Sequence, residues 1–533
     1  AGQWSLLRQF CSGLTNHRTD RHGADRGLLV AEVLRAVREA GGETVLGLRL
    51  SCDELAPWAG IVPEAGAGLA RRACELDAGV PDYVTVVRGS AYGTGATRPD
   101  AHSEPGFNLV AADLVRRQLP PAVAVVAQGS IVDVSQAADA VASGVADLVE
   151  MTRAQIADAG LARKVARGQA SRIRPCVLCN QACQVRDVRN PIVSCIGDPR
   201  SGHELDDPPA GRPTFWTAQA APRSQPSTPA QEATPAAAGT GVAREPSHLL
   251  VVGAGPAGLE CARVAAASGI EVTVLESRPG TGGMLRAAAA KVPGRERLGR
   301  LADWLERECR RLGVEIVTDH EAGLEELDSY DGPIVCATGS RPGRRSYHVA
   351  MSASVVTAAE VLAAEPSPGR VTFPRGNALS PTVVFDPIGG PIGIGVAELL
   401  AASGCEVTLV TPDFVVGEQL GRSGDLAPAN VRLQRLGVRL IRSGLVRAVE
   451  PDHVLVESRW SGVSQSVPAV LLVDAGHRMA DDSLARSLAA PRPGRVQVIG
   501  DAVAPRSVLE AVLEGRRAAA AVAATRPPAP ALA

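Results

Sequence analysis

Cys176, Cys179, Cys183 and Cys195 stand in the stretch RPCVLCNQACQVRDVRNPIVSC. Three thiolates in one tight loop, with a fourth returning further along, can surround a compact inorganic core, as an iron–sulfur cluster requires. Structural zinc is the other occupant this spacing allows. Zinc sites usually pair two short Cys-x2-Cys elements, whereas here the second half supplies a single cysteine. The chain holds 11 cysteines, an odd number, and their clustering reads as ligation rather than as a secreted disulfide framework.

A second constellation, Gly253-x-Gly255-x-x-Gly258, lies between the apolar run HLLVV and a helical run. Such glycines permit a tight turn and the close approach of a pyrophosphate to a helix N-terminus. Glu276, at the end of the next strand-like run, can accept a hydrogen bond from a ribose hydroxyl. Gly283 in a Gly-Gly pair, Gly339 in ATGS after PIVC, and Asp501 after VQVI complete the order expected of a flavoprotein with two dinucleotide-binding units. The second strand-glycine-helix unit, 382–411, is less regular. Asp386 and Pro387 interrupt its strand, Ile388 stands where a first glycine belongs, and its helix is expected to begin near Gly393 or Gly395. Thr411 replaces the acidic ribose partner, so the sequence leaves nicotinamide binding there open.

The elements that must hold these groups alternate between two periods. From 28 to 151 a helix (28–42) is followed by short apolar runs at 44–50, 83–87, 122–129 and 147–151, each bounded by Gly, Pro or Asp. Runs continuous enough to be buried on both faces suit a parallel barrel or doubly wound sheet. Four strands precede the cysteines and a full (β/α)8 barrel takes roughly 250 residues. Residues 1–172 are therefore expected to be the second half of such a barrel, the earlier strands lying outside this chain. Loops after the last two strands of a barrel commonly hold phosphate. Here they carry Gly129 and Ser130, then Thr152 and Arg153. Arg49, inside the apolar run GLRL, is expected to be buried beside a carboxylate or an anionic ligand.

The charge balance is near neutral, with a net charge of −2, which gives no basic excess for a nucleic-acid partner. No apolar run approaches the length of a membrane span and no leader pattern opens the chain, so a cytoplasmic protein is expected. Lys164 and Lys291 are the only lysines, leaving few candidates for Schiff-base chemistry. Residues 205–246, rich in Pro, Ala, Thr and Ser, read as a disordered linker, and the tail 524–533 as frayed. The fold expected is thus α/β: the C-terminal half of a (β/α)8 barrel, a small four-cysteine segment at 173–204, and two Rossmann-like domains. The first spans 247–345 and returns at 486–523; the second, degenerate, spans 346–485.

In this order the pieces resemble the fused old yellow enzyme family, which includes bacterial 2,4-dienoyl-CoA reductase and the trimethylamine and histamine dehydrogenases. QWSLLRQFCSGLTNHRTDRHG is similar to the family segment after barrel strand four, whose usual start reads His-Gly-Tyr-Leu-Leu-x-Gln-Phe. The chain also resembles, more distantly, actinobacterial flavoproteins of the mycofactocin group. The resemblance implies a 4Fe–4S cluster on Cys176, Cys179, Cys183 and Cys195. It implies FMN against Arg49, Gly129, Ser130, Thr152 and Arg153, and the ADP part of FAD on Gly253 to Gly258 with Glu276. It also shows departures. The family tyrosine that donates a proton falls on Ser5, the preceding histidine on Gln3, a glycine on Trp4, and a later histidine near Ala91, beside Tyr92. Tyr92 is the better proton donor expected and Ser5 the weaker, while His102, farther along the same loop, reads equally as a candidate and as a solvated loop residue.

Two activities are compatible with these features. One passes electrons between NAD(P)H-reduced FAD, the cluster and FMN to a small-molecule acceptor such as an activated alkene. The other oxidises a small amine or alcohol at FMN and exports electrons to a carrier protein, with ADP in the first Rossmann unit. A non-catalytic electron-transfer scaffold is a third reading.

Overall fold

The computed structural model describes residues 2–75, 80–91, 93–184, 189, 192–204, 248–364, 380–489 and 494–524. Two compact units divide the chain. The first comprises Ala1–Gln181, Pro293–Arg297 and Gly417–Arg432; the second comprises Ala182–Val292, Leu298–Val416 and Leu433–Ala533. The expected linker falls outside the described residues, as does the expected tail apart from Ala524, which ends a helix.

In the first unit β1 (Gly47–Asp53), β2 (Tyr83–Arg88), β3 (Ala124–Gln128) and β4 (Leu148–Glu150) form one parallel sheet in chain order. Parallel neighbours need crossovers, and the helices Pro63–Cys74, Leu109–Arg116 and Val134–Ala142 supply them. Pro63 opens the first crossover helix, and its buried stripe is small: Gly66, Ala67, Ala70 and Ala73. A Cβ on Gly66 would overlap the Cys52 carbonyl of β1, so glycine sets how closely helix and strand approach. Register then separates the two faces of the sheet. Leu48, Val84 and Val125 align on one face and are at most 4% exposed. Arg49, Thr85, Val126 and Leu148 align on the other, where Leu148 is 56% exposed. Burial on both faces, as the apolar runs suggested, therefore holds for β2 and the end of β1 but not for β4 or at Arg49.

The second unit continues with β5 (His248–Val252), β6 (Glu271–Leu275), β7 (Glu315–Val317), β8 (Ile334–Cys336), β9 (Ser340–Pro342), β10 (His348–Val349), β11 (Val355–Thr357) and β12 (Pro381–Phe385). It goes on through β13 (Glu406–Val410), β14 (Arg439–Ile441), β15 (Gly444–Val449), β16 (His453–Ser458), β17 (Ser464–Pro468), β18 (Leu471–Asp474), β19 (Arg478–Ala480) and β20 (Val496–Val498). Two five-stranded parallel sheets result, in orders β20-β8-β5-β6-β7 and β11-β18-β12-β13-β14. In the first sheet the chain enters at the middle strand β5, builds outward through β6 and β7, then crosses to β8 and β20; in the second it lays down the edge strand β11, then the middle strand β12, builds outward through β13 and β14, and returns as β18 between β12 and β11. The loops after β5 and β12 therefore lie at the switch points where such sheets bind ligands. A smaller sheet, β10-β15-β16-β17, and the pair β19-β9 complete the unit. The helix Val508–Ala524 packs on Pro256–Ala267 through small residues, and a Cβ on Gly515 would overlap the Ala257 carbonyl oxygen.

Candidate cofactor sites

At the β5 switch point, Gly253 has φ +105° and a Cβ there would overlap the Ala337 carbonyl oxygen, so conformation and space both require glycine. Gly255 caps the helix Pro256–Ala267, and a Cβ on Gly258 would strike the Gly253 carbonyl oxygen. Glu276, 8% exposed, is the post that shapes this loop. One carboxylate oxygen accepts from the Ala254 amide at 2.7 Å and the other from the Arg278 amide at 3.0 Å. The oxygen facing Ala254 keeps a lone pair, which a ribose hydroxyl can use, while the other also receives the Ser277 hydroxyl at 3.5 Å. The Gly282 amide donates to the Ala254 carbonyl at 2.8 Å, which brings Gly283 (φ +50°) against Gly255. Gly339 (φ +86°) accepts from the Asp481 amide after β8. Asp501 follows β20 and accepts from the Ser340 hydroxyl at 3.1 Å and the Arg506 amide at 3.2 Å. The second unit thus gathers the glycine loop, Glu276 and Gly283 into one cradle whose shape fits a dinucleotide phosphate.

The loop after β12 is built differently. The strand ends at Phe385, and the helix begins at Pro391 with Gly390 as its cap, earlier than the expected Gly393 or Gly395. Proline at the first helical position is the physical reason: its lacking N–H costs nothing there. Asp386 therefore follows the strand rather than interrupting it. Its carboxylate is 1% exposed and accepts from the Ile388 amide at 3.1 Å and the Gly389 amide at 2.9 Å. The second oxygen, Oδ2, is buried without a hydrogen-bond partner among the described residues. Burial pushes this carboxyl up to about 6. An acidic side chain thus takes loop amides that an incoming phosphate would otherwise use. Thr411, fully buried, occupies the strand-end position that Glu276 holds in the first sheet.

In the first unit Gly129 (φ +90°) turns the chain after β3, and its carbonyl accepts from the Asn108 amide at 3.1 Å. Asn108 bridges two strand ends, donating to Val86 and Gln128 carbonyls at 2.7 and 2.9 Å. Ser130 is 3% exposed, and its Oγ, like Asn108 Oδ1, is buried without a hydrogen-bond partner among the described residues. The orphaned Ser130 hydroxyl beside a glycine turn can donate to a ligand such as a phosphate, whereas Asn108 Oδ1 calls for a donor. Arg49 is not buried: its side chain is 44% exposed and donates to Glu150 Oε2 at 2.7 Å. The two belong to opposite edge strands, so the sheet curls enough for their side chains to meet. Thr152 donates to the other oxygen of Glu150 at 2.9 Å.

Arg153 is used elsewhere. Its guanidinium donates to the Pro99 carbonyl at 2.8 Å and to Asn180 Oδ1 at 2.7 Å, inside the cysteine run. Asn180 in turn donates to the Arg98 carbonyl at 2.7 Å, and the Ala101 amide donates to the Leu178 carbonyl at 3.1 Å. Leu178 and Asn180 both have positive φ, +54° and +51°, a costly conformation for side chains other than Asn, Asp and Gly. A backbone wound this tightly between Cys176 and Cys179 and beyond fits the wrapping of a compact core. Cys176 and Cys179 belong to the first unit, Cys183 and Cys195 to the second, where the Ser194 amide donates to the Ala182 carbonyl at 3.0 Å and draws those two segments together. None of the four is joined in a disulfide among the described residues. Each of the remaining cysteines is held above its ordinary value by burial, Cys11 and Cys74 to about 11 and Cys309 to about 12. Protonated, desolvated thiols of that kind are inert core residues.

The Ser5 hydroxyl caps the helix Leu6–Cys11: it donates to the Gly2 carbonyl at 3.0 Å and accepts from the Arg8 amide at 3.2 Å. Tyr92 lies outside the described residues. His102 is not solvated: its side chain is 13% exposed, with Nδ1 3.0 Å from Asp100 and 3.9 Å from Asp425. Asp425 is itself gripped by Arg432 at 2.8 and 3.0 Å, which satisfies its charge without a metal. Sequence reading missed Asn180 and Asp386 as organisers. An asparagine directly after the Cys176–Cys179 pair and an aspartate directly after a strand were the available signals.

Two segments of the chain match known families. Residues 4–172 match the NADH:flavin oxidoreductase / NADH oxidase family, and residues 247–498 match the pyridine nucleotide-disulphide oxidoreductases. The chain belongs to the flavoprotein oxidoreductases that fuse these two segments. It is 32% identical to an N,N-dimethylglycine/sarcosine dehydrogenase of Chromohalobacter salexigens, over 78% of this chain and 56% of that protein. It is 28% identical to a multifunctional alkene reductase/demethylase of Caballeronia cordobensis, over 96% of this chain and 73% of that one. Histamine dehydrogenase from Rhizobium sp. 4-9 shares the fold, with TM-score 0.82 at 24% identity, over 99% of this chain and 73% of that chain. The chain thus spans from about half to three quarters of the length of these proteins. Among the described residues no helix is long and apolar enough to cross a membrane.

Proposed function

We propose that this chain takes part in an electron relay in which NAD(P)H, FAD, a 4Fe–4S cluster and FMN are linked, ending in reduction of an activated alkene. The observation that carries this reading is the Arg153–Asn180 hydrogen bond. It ties the segment following β4, where the phosphate-type loops stand, directly to the cysteine run. FMN and FAD would supply hydride chemistry and the cluster single-electron transfer. The Ser130 hydroxyl and the Gly129 turn would bind the FMN phosphate, while Arg49 and Glu150 stand on the exposed face of the sheet. Gly253 to Gly258 and Glu276 would orient FAD, and Cys176, Cys179, Cys183 and Cys195 would ligate iron. With the Ser5 hydroxyl committed to its helix cap, Tyr92 is the proposed proton donor.

A second reading is favoured by the buried carboxylate of Asp386 at the β12 switch point. If that loop rejects a nicotinamide dinucleotide, electrons would enter from an amine substrate and leave through a carrier protein. Anaerobic mixing separates the two. Bleaching of flavin absorbance by NAD(P)H, reversed by an enone, supports the first; bleaching by a secondary or tertiary methylamine, with none by NAD(P)H, supports the second.

A further inference from the structure

Arg297 lies 121 positions beyond Cys176 in the chain, yet both belong to the first compact unit. Its guanidinium is nearly sealed from water, at 10% side-chain exposure. Nε and Nη2 donate to the carbonyl oxygen of Cys176 at 3.3 and 3.1 Å. Nη1 and Nη2 donate to the two carboxylate oxygens of Asp133 at 3.0 and 2.9 Å. A buried arginine is costly unless its donors are satisfied, and here a bidentate carboxylate and a ligand-loop carbonyl satisfy four contacts. Asp133 stands just before the helix Val134–Ala142, and its side chain is 27% exposed, so water screens it more than it screens Arg297.

We propose that the Arg297–Asp133 pair sets the reduction potential of the cluster on the Cys176 loop, Arg297 raising it and Asp133 holding it down. This rests on the reading that the four cysteines hold a 4Fe–4S cluster. Reduction adds one electron and therefore one negative charge to the cluster. A buried positive charge next to a ligand's carbonyl stabilises that reduced form, and a carboxylate behind it partly offsets the gain. Arg297 and Asp133 are positioning residues, since they act through Cys176 rather than on the cluster itself. A purely structural role would make either substitution loosen the loop and shift the potential in the same direction. The electrostatic role requires opposite shifts.

The test is a mediator-coupled redox titration of the purified protein, with the reduced cluster followed by electron paramagnetic resonance. In Arg297→Gln the ratio of reduced to oxidised cluster at fixed potential should fall at least about tenfold, a shift of about 59 mV for a one-electron couple. In Asp133→Asn it should rise at least about threefold, as expected for loss of one partly screened charge. Arg297→Lys, which keeps the charge, should lie between the native protein and Arg297→Gln. If Arg297→Gln fails to fold, the upward shift in Asp133→Asn still decides the matter. Shifts of the same sign, or none in variants with native iron content, overturn the inference. Absence of iron from the unsubstituted protein overturns instead the cluster reading beneath it.

Discussion

Asp386 shows what a single buried carboxylate does to a loop that otherwise has the form of a nucleotide cradle. Its carboxyl, raised by burial from 3.8 to about 6, keeps its proton to a higher pH in the folded chain than in the unfolded one. The stability it contributes is fully present below the unfolded value and is lost as the pH rises through the folded one. Asp386→Asn keeps an acceptor for the Ile388 and Gly389 amides but carries no charge. The variant should therefore be more stable than the native protein above pH 7, by about 1–3 kcal/mol. The gap should close as the pH falls from about 6 toward 4. Thermal unfolding at pH 5 and pH 8 measures this, and an equal loss at both would remove the charge from the explanation. Gly258→Ala tests the first cradle. Its Cβ would meet the Gly253 carbonyl oxygen, so a loss of about 1–3 kcal/mol is expected, together with loss of FAD from the purified protein. Glu276 and the glycines were legible because only such residues suit a turn of that shape. Arg49 was misread because an arginine flanked by leucines looks buried, and only strand register shows it on the open face.

The cysteine run is the element on which chemistry and folding depend together. Asn180 sits there at φ +51° and exchanges hydrogen bonds with Arg153 and the Arg98 carbonyl. Asn180→Gly retains the conformation and loses the bonds, whereas Asn180→Val loses both and meets a left-handed penalty of roughly 1–2 kcal/mol. Iron content should therefore fall in the order native, Gly, Val; a valine variant with full iron would show that the loop needs no fixed turn. Helix packing gives a second check, since Gly515→Ala places a Cβ against the Ala257 carbonyl and should lower the unfolding temperature through about 1–3 kcal/mol of overpacking. Element boundaries were largely readable where caps are explicit. The helix read at 28–42 is Leu28–Gly41, and the run 83–87 is β2, Tyr83–Arg88. The start at Pro391 was missed because the glycines after it were weighed above the Gly-Pro pair before it. Positive-φ turns such as Leu178 leave no residue-type signal at all.

At the scale of the whole molecule, sequence order gave the succession of a parallel sheet, a cysteine run and two switch-point sheets. It did not show that Pro293–Arg297 and Gly417–Arg432 join the first compact unit. Such long-range returns depend on side-chain pairing, as of Arg297 with Asp133, that no local pattern encodes. The account's central claim is that the chain assembles an iron–sulfur cluster on its four-cysteine run and FAD on its first glycine loop. The most direct test is elemental and cofactor analysis of protein purified without oxygen. Iron and acid-labile sulfide in equal amounts, about four of each per chain, with FAD released on denaturation, is the result expected. Stoichiometric zinc without iron, or ADP in place of FAD, would contradict it.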